Sequence, residues 1–93
     1  MADDSEVEKV CTVQNKMGLH ARPAAMLVQT ANRFPCEVTL VKDGQTVNGK
    51  SIMGVLMLAA AKGSTILVKA DGEQAQDAVT AIGALFDKLF NEK

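Results

Sequence analysis

Between residues 73 and 89 one apolar stripe continues for four turns at helical spacing. It comprises Ala75, Ala78, Val79, Ile82, Leu85, Phe86 and Leu89, and this is the pattern of an amphipathic helix that buries one face. Such a helix needs a partner surface, and the rest of the chain supplies it in alternating periods. Residues 7–14 are β-branched and extended, with Val7, Cys11 and Val13 on one parity and Lys9 breaking the pattern; they predict a strand. Residues 21–33 place Ala24, Leu27, Val28 and Ala31 on one helical face. Pro23 is tolerated there because a first-turn amide has no intrahelical acceptor, and Pro35 ends the helix near Phe34. Residues 36–42 alternate as a strand, with Cys36, Val38 and Leu40 sharing a face, and Asp43-Gly44 is a hairpin signal leading into a short strand at 45–49. Residues 51–58 form a short, very apolar helix closed by Lys62-Gly63, and residues 65–70 form a strand ended by the Asp71-Gly72 turn. The predicted order is β-α-β-β-α-β-α, with three amphipathic helices on one face of a small sheet.

A chain of 93 residues accommodates one domain with its own core, without room for both a deep substrate cleft and a cofactor fold. Residues 1–6 read as a disordered acidic tail and residues 7–93 as the domain. The net charge is −1, so nothing points to a nucleic-acid or membrane surface. With no Trp, no Tyr and three Phe, the chain lacks the stacking platforms of a single-strand binder. The acidic N-terminus is unlike a secretory signal, which points to the cytoplasm. The longest apolar run, residues 52–61, is too short to span a bilayer. Cys11 and Cys36 lack CxxC spacing, and with a single histidine they cannot complete a four-ligand zinc site. They read as reduced, packed thiols, and no metal or other cofactor is expected.

That one histidine, His20, falls where the turn 15–18 meets the first helix, within Gly18-Leu19-His20-Ala21-Arg22-Pro23. At the cap position it would sit beside the free amides of Ala21 and Arg22, and the positive end of the helix would favour an anion there. A neutral imidazole is the nucleophilic form, and histidine titrates near neutrality. Arg22 can fold back onto an oxyanion. Nucleophile, amides and guanidinium therefore converge on one point. A lone histidine at a helix start is more often a plain surface residue, and a lone arginine a solvated charge. The combined hexapeptide is what makes the pair informative. It contains no carboxylate to activate water, and the chain has no second histidine to act as a base.

Extended by Ala24, this hexapeptide resembles the active-site signature of HPr, the histidine-containing phosphocarrier of the bacterial phosphoenolpyruvate-dependent sugar phosphotransferase system. A second motif, Asn48-Gly49-Lys50-Ser51-Ile52-Met53-Gly54, and the Asp43-Gly44 hairpin extend the resemblance over most of the chain. It implies an α+β fold, the open-faced β-sandwich with four antiparallel strands and three helices on one side. It also implies that His20 takes a phosphoryl group on Nδ1 from enzyme I and passes it to enzyme IIA, as a covalent carrier and not a free-standing enzyme. Arg22 would hold the phosphate, with Ala21 and Pro23 beside it in the phosphate-binding segment, and Pro23 and Ala24 would shape the helix start. The family's strand order, 1-4-2-3, would set Cys11 and Cys36 about two strand spacings apart, roughly 9–10 Å, too far for a disulfide.

Ser51 has two readings. By type it is a helix N-cap. In the family the matching serine is also a regulatory phosphorylation site for a dedicated HPr kinase. A phosphate there would add about −1.5 to −2 charges without unfolding the helix. Ile52, Met53 and Leu56, with Met17, are expected to be exposed as an apolar docking patch, extended by Met26 and ringed by Lys16, Arg22 and Lys50; the alternative is that Ile52 and Met53 are core. Adaptable methionine suits a surface that accepts several partners, and the contacts should be transient, with the carrier itself a monomer. Two further functions compete with the sugar-system carrier. One is the parallel nitrogen-related regulatory branch. The other is a Ser51-phosphorylated corepressor of a catabolite-control transcription factor, against which the presence of His20 argues, because regulatory-only relatives lack it.

Overall fold

The computed structural model describes residues 6–92. Its elements are β1 (Glu6–Thr12), α1 (Ala21–Ala31), β2 (Glu37–Lys42), β3 (Gln45–Asn48), α2 (Ile52–Met57), β4 (Thr65–Asp71) and α3 (Ala75–Asp87), followed by a short turn of helix at Leu89–Asn91. The strands form one antiparallel sheet in the order β1-β4-β2-β3. This is the expected open-faced sandwich, and β4 separates the strand of Cys11 from the segment of Cys36. Both thiols are free and buried. Residues 1–5 of the expected tail lie outside the described residues, whereas Glu6 is the first residue of β1 and pairs with Asp71.

The period-2 pattern explains which face of the sheet is covered. Cys11, Val38, Leu40, Ile66, Val68 and Ala70 point inward and are buried. Against them pack the helical stripes, Ala24, Leu27, Val28 and Ala31 from α1 and Ala78, Val79, Ile82 and Phe86 from α3. Fully burying a side chain such as Leu27 or Ile82 stabilises by about 1.5–3 kcal/mol, so this one layer carries the fold. On the other face Val10 is 63% exposed, opposite Leu67 in the register. Lys9 shares the inward parity, and α3 makes room for it. A Cβ on Gly83 would come within 2.8 Å of Lys9 Cε, so the lysine stem lies over the helix while its charge stays in water.

The long stripe ends earlier than the periodicity predicts. α3 stops at Asp87, and Leu89, Phe90 and Asn91 have φ of 56, 52 and 63°. Three left-handed residues in succession reverse the chain, and each costs roughly 1–2 kcal/mol. Phe90 anchors the turn. It is 1% exposed and meets Phe86 edge to face with ring centroids 5.0 Å apart. Phe90 is thus buried, while Leu89, the last residue of the predicted stripe, is only half-buried.

The loop before α1 is fastened to the loop before β4. Val13 N–H donates to Ser64 O, Gly63 N–H to Val13 O, and Leu19 N–H to Ala60 O, at 2.9, 2.7 and 2.9 Å. Gly18, at φ +71°, passes so close to Ala60 that a Cβ would collide with its carbonyl oxygen. Gly18→Ala is therefore expected to lower stability by about 1–3 kcal/mol. Urea unfolding checks this, and an unchanged midpoint would show that the loop can move aside.

Candidate functional site

His20 is the N-cap of α1, extended at φ −79° and ψ −169°, and its side chain makes no capping hydrogen bond. The imidazole is therefore free to serve something other than the helix. Its backbone carbonyl accepts from Ala24 N–H at 3.0 Å, so the helix begins as the sequence predicts. The amides of Ala21 and Arg22 have no intrahelical acceptor, and Pro23 has no N–H to satisfy. Pro23 and Ala24 are buried while Arg22 is exposed. This burial pattern anchors the helix start in the core and leaves the guanidinium at the surface.

A carboxylate reaches the ring from the far end of the chain. Glu92 Oε2 lies 2.9 Å from His20 Nε2, 72 residues away in sequence. The left-handed turn after α3 delivers it, and Asn15 holds it. Asn15 is 2% exposed; its Nδ2 donates to Leu89 O at 2.7 Å and to Glu92 Oε1 at 2.8 Å, while its Oδ1 has no partner among the described residues. Both donors of the amide are committed to the C-terminal turn, and an orphaned acceptor costs about 1–3 kcal/mol. Sequence reading treats Asn15 as an ordinary turn residue and notes only that the hexapeptide itself holds no carboxylate; Glu92 reaches His20 from outside it, and neither local pattern nor spacing relates these positions.

The Asn15 amide chiefly, opposed by partial burial, holds the Glu92 carboxyl below the usual carboxylate range. The charge and hydrogen bond of His20 and the charge of Arg22 add to the same effect. Burial pushes the Cys11 thiol up, with Lys9 opposing and Asp87 adding to it, which suits a packed thiol and not a nucleophile. Among the described residues no group of three or more His, Cys, Asp or Glu side chains is placed to hold a metal ion.

Two shallow recesses meet at His20. One is lined by Lys16, Met17, His20, Arg22, Asn91 and Glu92, the other by Met17, Leu19, His20, Leu56 and Ala59 to Ala61. The His20 side chain is 36% exposed, enough for a visiting group to reach it. Around it Met17, Ile52, Met53 and Leu56 are 73%, 44%, 69% and 38% exposed, so they form surface, not core. Met57 is exposed too and extends the patch beyond the expected residues. Of the residues expected to extend and ring the patch, Met26 is half-buried against the core, and half-buried Lys50 donates from Nζ to Phe34 O at 2.6 Å. Ser51 caps α2, accepting from Gly54 N–H at 3.1 Å.

Comparison with known proteins agrees with this geometry. Residues 7–88 match a family model described as the PTS HPr component phosphorylation site. The chain is 50% identical over 86 residues to the phosphocarrier protein HPr of Xylella fastidiosa, covering 92% of this chain and 97% of that protein. It is also 50% identical over 82 residues to the HPr-like protein Crh of Halalkalibacterium halodurans, covering 88% and 98%. Among solved structures, HPr-C-His from Thermoanaerobacter tengcongensis superposes with a TM-score of 0.90 at 39% identity, over 94% of this chain and 98% of that one.

Because its pKa is lowered, Glu92 favours the docked turn when ionised. That advantage is complete above the ordinary carboxylate range and is lost as pH falls through the lowered value. A side-chain carboxyl NMR titration should place the Glu92 midpoint below that of an unstructured glutamate. A midpoint equal to the reference would mean that the contacts with Asn15 and His20 do not form in solution.

Proposed function

Since the chain belongs to the HPr family of phosphocarriers, we propose that it accepts a phosphoryl group on His20 from phospho-enzyme I and transfers it to enzyme IIA of the sugar phosphotransferase system. The observation that carries the reading is the half-open imidazole at the mouth of α1, its Nε2 engaged by Glu92 and Arg22 lining the same recess. With Nε2 engaged, Nδ1 is the atom left for attack. The amides of Ala21 and Arg22, together with the Arg22 guanidinium, are suited to a phosphoryl anion there. The site has no room to bury a small substrate, which fits a protein that carries the group between partners without acting as a free-standing enzyme.

The apolar patch of Met17, Ile52, Met53 and Leu56 suits a transient docking surface, and Lys16 and Arg22 beside it would steer acidic partners. No helix among the described residues is long and apolar enough to cross a membrane, and a cytoplasmic monomer is the natural state for such a relay component. The chain is equally similar to a Crh protein, which leaves corepression by a Ser51-phosphorylated form as a second activity. The intact His20–Arg22 site favours carriage as the first.

Incubating the protein with phosphoenolpyruvate and enzyme I should yield one acid-labile phosphate that maps to His20. His20→Ala should fold normally by circular dichroism and take up none; label on that variant would identify another acceptor.

Ser51 phosphorylation by an HPr kinase would place about −1.5 to −2 charges beside the docking patch, at a cap that a carboxylate can also fill. Ser51→Asp should therefore keep its helix content and bind enzyme I about three- to tenfold more weakly. Unchanged affinity by titration calorimetry would remove charge repulsion as the regulatory mechanism.

A further inference from the structure

We propose that Glu92 is a positioning residue for phosphoryl transfer, holding His20 with its proton on Nε2 so that Nδ1 keeps the lone pair, and balancing the charge that the ring acquires. The inference rests on the reading of His20 as the phosphoryl acceptor and adds a role for a residue outside the matched segment 7–88.

Three features of the molecule converge on this carboxylate. Its Oε2 is 2.9 Å from Nε2, and a carboxylate can only accept, so that ring nitrogen must be the one that bears hydrogen. Its Oε1 takes the Asn15 amide at 2.8 Å, which fixes the carboxylate's rotation before any partner arrives. The segment that presents it is a run of three left-handed residues pinned by buried Phe90. Backbone strain of this kind persists only where the surroundings enforce it, and it is concentrated at functional sites.

The chemistry follows from where the proton stays. In the incoming step the Nδ1 lone pair of neutral His20 forms a bond to the phosphorus of the donor's phosphohistidine. The bond from phosphorus to the donor nitrogen breaks, and its electron pair leaves with the donor ring. His20 retains the hydrogen on Nε2 and becomes an N-phosphorylated imidazolium facing Glu92. In the outgoing step the N–P electron pair returns to Nδ1 and the ring leaves as neutral imidazole, not as a poor imidazolate leaving group. The carboxylate thus stabilises a charge that is absent from the free ring and grows in the transition state, as the buried aspartate does for the histidine of a serine protease.

The same carboxylate repels the phosphoryl anion, so the two effects must be weighed. The attraction acts across one hydrogen bond, whereas the repulsion acts across the ring and is offset by Arg22 and Lys16, which line the same recess. Coulomb energy falls with distance and is screened by solvent; the nearer attraction prevails.

The test uses the full chain and its Glu92→Ala and Glu92→Gln variants, with 15N-labelled histidine. At a pH where the ring is neutral, wild-type His20 should be a single Nε2–H tautomer with a slowly exchanging proton. Glu92→Ala should drift toward the mixture seen for free imidazole and lose that proton, while Glu92→Gln, whose amide oxygen can still accept, should retain the tautomer. With phospho-enzyme I as donor, both variants should lose about three- to tenfold in kcat with KM for the carrier unchanged. A wild-type ring that is already a tautomer mixture overturns the proposal, as does a Glu92→Ala protein with wild-type tautomer and kcat. A rise in KM at constant kcat also overturns it, by making Glu92 a docking residue. If wild type takes no phosphate from enzyme I, the carrier reading fails, and the tautomer comparison still decides whether Glu92 sets the ring.

Discussion

One buried amide holds the two ends of the site together. Asn15 lies in the loop before α1 and spends both its N–H groups on the turn after α3. That tie, the burial of Phe90 and the backbone hydrogen bonds from Asn91 N–H to Lys88 O and from Glu92 N–H to Leu89 O together hold the left-handed run of Leu89, Phe90 and Asn91. The loop is also fastened on its other side, by Leu19 to Ala60 and by Val13 to Ser64 and Gly63. His20 therefore sits on a frame that is rigid on both flanks while its own ring makes no capping bond.

That frame divides the labour at the surface. Orientation comes from fixed parts: the cap geometry, buried Pro23 and the Asn15–Glu92 pair. Reach comes from exposed ones, Arg22 and the unbranched side chains of Met17, Met53 and Met57. A carrier must bind a donor and then an acceptor through one face and let each go. A shallow apolar patch meets that requirement better than a deep pocket, because complementarity is spread thinly over adaptable groups.

Most of the architecture was legible because it rests on short-range periodicity. Cys36, Val38 and Leu40 alternate, Ala24, Leu27, Val28 and Ala31 recur at helical spacing, and Asp43-Gly44 turns the hairpin; each appears as expected. The misreadings have local physical causes. Leu89 continues the stripe in sequence, yet the chain turns left-handed at that residue, which leaves it half-buried beside buried Phe90. Met26 follows the helical period closely enough to pack against the core, and Glu6 is drawn into β1 by pairing with Asp71.

The sequence by itself determined the secondary structure, the cap position of His20 and the hexapeptide chemistry around it, since these depend on residues within one or two helical turns of each other. It also located Ser51 at the start of α2 and the exposed methionines beside it. Only the tertiary structure decided which group faces His20 Nε2. Asn15 and Glu92 stand 77 positions apart and share no repeat or motif. They meet because the sheet order and a strained reversal after α3 bring the loop before α1 and the C-terminal turn to one point, and no rule of spacing encodes a contact made by closing the whole fold.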